Sequence, residues 1–300
     1  GRYSLDFGIK VAIDKYLHHL PLERQVRMMH GAGLRMGSNT LWNQVEAISA
    51  LAAPTWDALR RAALREGIIG LDQTGWPNLD ARHKKKWQMW SITTPNVVYH
   101  TIRDDKSAAT FGDLVGGYSG YVVCDDLSTH RAGARGSPGV VLVGCWAHVY
   151  RKFEEASADH PDAATAMELI RWLYDVDKYA PPERLGEMRA RWSKLVLDEL
   201  YHWMTSRPVV KTTSIGNAIL HTLKNKERLW RLVDDEHVWL DKQPSTGGAR
   251  AQGGSYLLEQ QAPTERAIRG PVVGRRNHFG SKSRRGTLAA SILYSLIETA

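Results

Sequence analysis

The stretch "GYVVCDDLSTH", residues 120–130, decides the fold. Tyr121, Val122, Val123 and Cys124 suit a pleated, half-buried surface, and they run straight into two consecutive carboxylates, Asp125 and Asp126. Burying acid at the end of an apolar strand is costly unless something neutralises it. Successive strand residues point to opposite faces. Asp126 is therefore expected to cap the following turn, and Asp125 remains as the acid whose charge needs a purpose.

A second acid sits in a comparable place. "IIGLDQTGW" (68–76) is a short apolar run with Asp72 embedded in it. "KKWQMWSITT" and "NVVYHTIRDD" read as strands with a turn at Pro95-Asn96, and "SAATFGDLVGG" reads as a helix capped by Ser107 and stopped by Gly116-Gly117. "GVVLVGCWAHVYRKFEEA" (139–156) is a strand running into a helix. Three strands, a helix, a strand, a loop or short helix and a strand predict an α/β fold, a mixed sheet with helices on its faces.

Helices flank this core. Residues 4–66 carry helical patterns broken by Gly31 and Gly33, with Ser38 as a cap and Pro54 opening a separate helix, "PTWDALRRAALREG". Helix, glycine turn and capped helix resemble a helix-turn-helix, and two packed helices without DNA contact fit equally well. Residues 148–240 are helical again, through "ATAMELIRWLYDV", "PPERLGEMRARWSKLVLDELYHWMTS" and "SIGNAILHTLKNKERLWRLV", and most of Trp172, Trp192, Trp203 and Trp230 read as core. Residues 241–263 are loop-like. A short helix, a basic loop and a closing helix end the sequence.

The 300 residues, 43% hydrophobic and 24% charged, suffice for one large domain or two smaller ones. No apolar run is long enough for a membrane span and no signal-peptide pattern opens the chain. Starting at Gly1 and stopping inside a helical pattern, it reads as a fragment trimmed at both ends. Cys124 and Cys145 lie in apolar runs without metal-ligand spacing, so they read as buried small hydrophobes of a reducing cytoplasm. Forty Lys and Arg against 32 Asp and Glu give a net charge of +8, which suits a polyanionic partner.

If their strands are neighbours, Asp72 and Asp125 converge. Two ionised carboxylates so close call for a divalent cation, and oxygen ligation suits Mg²⁺ or Mn²⁺. A third acid from a helix would complete a site for two ions that performs phosphoryl transfer. Two basic clusters, "RHKKKW" (82–87) with Lys84, Lys85 and Lys86, and "GRRNHFGSKSRRG" (274–286) with Arg275, Arg276, Lys282, Arg284 and Arg285, are candidates for phosphate contacts. The first is as well explained as a solvated face. Arg266 and Arg269 join the second. His148 stands either near the acids or as a structural helix-start histidine.

"LDQTGW", "YVVCDD", "GCWAHVYRKF", "TERAIRGPVVGRRNHFGSKSRRGT" and "ILYSLIETA", preceded by "KYLHHLPLERQ" and "GSNTLWNQV", together resemble the insertion-sequence transposases of the sixty-six group, bacterial DDE enzymes. The resemblance covers nearly the whole chain in order. It implies a ribonuclease H-like mixed sheet with an amino-terminal helical region (1–66, possibly DNA-binding), the first part of the catalytic core (67–147), a large helical insertion between the second and third acids (148–240), a flexible loop insertion (241–262) and the end of the core (263–300). It further implies Asp72, Asp125 and Glu265 as catalytic, metal-holding acids with two Mg²⁺ or Mn²⁺ ions. The implied partners are double-stranded DNA, as element ends and target, and further copies of the chain on that DNA, in the bacterial cytoplasm at the nucleoid, with no membrane.

Three departures stand out. Gln73 replaces the family's usual glutamate, and Asp126 its glycine. Residues 242–261 intervene where the family runs from "WLD" through two asparagines to the glutamate. Either the Glu265 helix docks and the loop bulges outward, which the retained "ERAIRG" favours, or the site is damaged. A nuclease that cuts without joining and a decayed remnant that only binds DNA are the other readings.

Overall fold

The computed structural model describes residues 3–79, 87–125, 128–241 and 263–300, with side chains from 267 onward in the last segment. The lead-in forms α1 (Leu5–Tyr16), α2 (Leu22–Gly31) and α3 (Ser38–Ala63). The sheet is built from β1 (Ile68–Gly75), β2 (Gln88–Thr93), β3 (Val98–Arg103), β4 (Gly120–Cys124) and β5 (Val140–Gly144), with α4 (Ala108–Leu114) and α5 (Ser128–Arg135) between them. Then follow α6 (Trp146–Ser157), α7 (Ala163–Tyr179), α8 (Leu185–Met188), α9 (Lys194–Thr205), α10 (Ser214–Lys224), α11 (Lys226–Asp234), α12 (Pro263–His278) and α13 (Arg284–Thr299). The strand order is β3-β2-β1-β4-β5. The first three strands form an antiparallel meander, and β4 and β5 continue it in parallel with β1.

Alternation along the strands sorts their side chains into separate cores. Ile69, Leu71, Val122 and Cys124 pack on one face with Trp90 and Phe111. Val123 and Val143 point the other way, into a core with Trp146, Phe153, Ile170, Leu200 and Leu229 from the helices after β5. On that second face, the other end of the sheet meets α1, α3 and α13 through Met89, Ile102, Leu41 and Tyr294. Both cysteines are buried and neither is in a disulfide.

The outer edge of β3 is closed by a helix. The hydroxyls of Ser291, Ser295 and Thr299, one per turn of α13, accept from the backbone N–H groups of Ile102 (3.0 Å), His100 (2.7 Å) and Val98 (3.0 Å). Ser295 and Thr299 donate back to the carbonyls of His100 and Val98. Edge-strand groups that would face solvent are thus satisfied by side chains.

Several sequence expectations change. α3 runs unbroken through Pro54; Ala50 and Pro54 are exposed, so water can serve the carbonyl that the proline cannot. Its N-cap is Gly37, with Ser38 already in the first turn. The pattern over 181–206 breaks into a 3₁₀ turn, α8, a π segment at Arg189–Ser193 and α9, because Arg189 is drawn inward onto Asp177 and the carbonyls of Glu236 and Val238. The pattern over 214–233 divides at Asn225, whose side chain donates to the His221 carbonyl (2.8 Å) and so competes with helix continuation. Trp172 and Trp192 are exposed at 47% and 44%, whereas Trp203 and Trp230 pack against the core. The short helix expected after residue 263 is sixteen residues long; Arg275 and Arg276 lie on its last turn rather than in a loop.

Candidate active site

The parallel register pairs Gly70 of β1 with Val123 of β4. Two residues further on stand Asp72, midway along β1, and Asp125, immediately after β4, so continuing the register puts the two acids level and on the same face. Adjacent strands lie about 4.8 Å apart, which brings both carboxylates within reach of one small cation.

The row continues across the sheet. Asp72 is directly opposite Ser91 of β2, and Ser91 is opposite His100 of β3. Ser91 Oγ lies 2.7 Å from His100 Nδ1. His100 is fully buried, and loss of hydration pushes its pKa down to about 3, opposed only in part by a hydrogen bond with the Ala267 backbone. It is a neutral imidazole under the α12 backbone. Asp72 Oδ1 accepts from the Gln73 N–H at 2.8 Å, which fixes the carboxylate against its own strand.

On the other side, β5 hands over to α6 with Cys145 as N-cap. One turn in, His148 places Nε2 2.7 Å from Asp125 Oδ1 and Nδ1 3.1 Å from Cys145 Sγ. Of the two sequence readings of His148, the structure takes the one near the acids. A small cleft here is lined by Asp125, Cys145, His148, His221, Asn225 and Arg228. The junction of α10 and α11 therefore borders Asp125, which the sequence did not disclose.

α12 packs across β1 and β2, with Ala267 over the Ser91–His100 end of the row. Glu265 lies in the first turn of this helix; its carboxylate, and the Arg266 side chain, lie outside the described side chains. Asp126, Lys84, Lys85 and Lys86 lie outside the described residues. Among the described residues no group of three or more His, Cys, Asp or Glu side chains is arranged to hold a metal ion. The remaining basic candidates separate. Arg275 is half-buried and donates to Thr74 Oγ1 (2.9 Å) and to the Gly75 carbonyl, tying α12 to the end of β1; burial and neighbouring Arg276 lower its pKa. Arg269, Arg276 and Lys282 are exposed. Arg284 and Arg285 open α13, 3.9 Å from Asp104 and 3.1 Å from Glu46, carboxylates that offset two cations at the positive end of a helix.

Sequence reasoning missed Ser91 and His100. Their signal was no more than a serine and a histidine within two strands, and only the register puts them level with Asp72.

A mixed α/β sheet presenting one acid within β1 and a second just beyond β4 defines the class of scaffold. The family profile described as "Transposase IS66 family" matches residues 1–243, and the chain belongs to that family. It is 24% identical over 314 residues to the uncharacterized protein y4qI of Sinorhizobium fredii (strain NBRC 101917 / NGR234), covering 96% of this chain and 54% of that protein. It is 22% identical to the uncharacterized protein y4hP of the same organism, with the same coverage. The chain thus spans about half the length of the curated relatives it matches. Among the described residues no helix is long and apolar enough to cross a membrane.

Proposed function

We propose that the chain is the catalytic region of a DDE transposase that cleaves and joins DNA at insertion-sequence ends. The observation that carries this reading is the level placement of Asp72 and Asp125 on adjacent parallel strands. The meander followed by two parallel strands, in the order β3-β2-β1-β4-β5, supports a ribonuclease H-like core. The position of α6 to α11 between β5 and α12 supports a helical insertion ahead of the third acid.

The donor set fits a hard divalent cation. Two carboxylates share one face, and all-oxygen ligation suits Mg²⁺ or Mn²⁺. Asp72, Asp125 and Glu265 would hold two such ions, which when bound lower the charge barrier to attack on a phosphodiester. His148 orients the Asp125 carboxylate. The exposed cations Arg269, Arg276, Lys282, Arg284 and Arg285, with Lys84, Lys85, Lys86 and Arg266, would hold the DNA backbone without reading sequence. The reaction is hydrolysis at the element end, followed by attack of the freed 3′-hydroxyl on target DNA, with no covalent enzyme intermediate. Several copies of the chain would act together on DNA, in the bacterial cytoplasm at the nucleoid.

The test uses precut element ends, target DNA and Mn²⁺. Wild type joins them, whereas Asp125→Asn binds the ends equally well and joins none. Joining by that variant overturns the assignment. Wild type that cuts without joining is a nuclease, and wild type that only binds DNA is a decayed remnant.

A further inference from the structure

Phe279 sits between α12 and α13 with its side chain 69% exposed and a backbone φ of 56°. Left-handed backbone is unfavourable for a residue with a Cβ, and for a bulky ring it needs surroundings that impose it. Those surroundings are present. Gly280 N–H donates to the Arg275 carbonyl (3.2 Å), and the Gly280 carbonyl lies 3.1 Å from His278 Nδ1. Ser281 is clamped to the segment after β1: its N–H donates to the Pro77 carbonyl (3.0 Å), its carbonyl accepts from Leu79 (2.8 Å), and its hydroxyl accepts from the Trp76 indole (3.1 Å). A loop this firmly held ought to bury its one large apolar ring. Instead it holds the ring out.

Three residues before it and three after it in the chain stand the exposed cations Arg276 and Lys282. Pro77, against which the loop is clamped, is five residues beyond Asp72, at most about 17 Å along an extended strand. An aromatic face between cations suits a strand of alternating bases and phosphates whose bases are unpaired. In a paired duplex the base faces are already stacked and out of reach.

We propose that Phe279 is a stacking platform for an unpaired base at or beside the processed DNA end. The proposal rests on the DNA-acting reading above and adds a contact to base rather than phosphate. The fixed left-handed backbone presents the ring without an ordering cost at binding.

The test uses the full chain without divalent cation, so that no chemistry intervenes. Two probes are compared: a blunt duplex, and the same duplex with a short single-stranded overhang carrying 2-aminopurine. Wild type is expected to bind the overhang probe more tightly and to quench the fluorophore. Phe279→Ala is expected to lose about ten-fold in affinity for the overhang probe, together with the quenching, and to bind the blunt duplex unchanged; Phe279→Trp retains both. Phe279→Gly, which accepts the left-handed backbone, is expected to melt at a higher temperature than wild type while losing the quenching, so lost binding is not lost folding. Duplex and overhang probes bound alike by wild type and Phe279→Ala would overturn the proposal and leave the DNA reading standing. Failure of wild type to bind either probe would overturn both.

Discussion

His148 Nε2 lies 2.7 Å from Asp125 Oδ1, joining the first turn of α6 to the end of β4. If Asp125 holds a metal ion as proposed, the side chain that touches it fixes its direction, and removing such a partner typically costs 10–100-fold in metal affinity. His148→Ala is therefore expected to weaken Mn²⁺ binding, followed by titration calorimetry, by roughly that factor at an unchanged melting temperature. Unaltered Mn²⁺ affinity would show that the contact is only structural.

Arg189 and Asp177 form a different kind of pair. The guanidinium is 1% exposed and makes paired hydrogen bonds to the carboxylate while also serving three backbone carbonyls, those of Leu232, Glu236 and Val238. Removing one partner of a buried pair costs about 3–5 kcal/mol. Arg189→Met should move the urea midpoint by that order. The double change Arg189→Met with Asp177→Leu should recover part of the loss, because the stranded charge is gone while the carbonyls remain unserved.

Acid should act through His100. Its folded pKa of about 3 lies below the ordinary 6.5 because burial penalises the charged ring. Above pH 6.5 both folded and unfolded states hold it neutral. As pH falls from 6.5 toward 3 the unfolded state binds a proton that the folded state refuses, so stability drops by about 1.4 kcal/mol per pH unit. Urea midpoints from pH 7 to 5 should fall for wild type, with a shallower slope for His100→Asn. Equal slopes would remove His100 from the account.

Gly280 combines a φ of 73° with a position where an added Cβ would collide with the Pro77 carbonyl oxygen. Gly280→Ala is expected to cost at least about 1 kcal/mol and to release the Ser281 clamp. Hydrogen exchange at Leu79 and Ser281 is the measurement. Protection equal to wild type at both amides would contradict it.

How much of this was legible in the sequence depends on which interaction decides each feature. The strands were readable because alternation and turn residues are local, and the acids because charge inside apolar runs is conspicuous. That Asp72 and Asp125 are level was not readable, since register is set by pairing between distant segments. Arg275 shows the same limit: the sequence displays a cation in a basic run, but its partners, Thr74 and Gly75, are two hundred residues away. The π segment at Arg189 likewise depends on carbonyls near residue 236. Side-chain charge can be read from sequence, whereas the partner that claims it cannot.

The hydroxyl ladder between α13 and β3 sets a timetable for the newborn chain. The amide of His100 waits for a hydroxyl 195 residues further on, about 10–40 s of synthesis at roughly 5–20 residues per second. Until then β3 has one open side and can recruit a strand from a neighbouring nascent chain on the same message. Rapid translation of the second half, or a chaperone that shields residues 98–102, would determine the yield of folded protein more than the stability of the finished molecule.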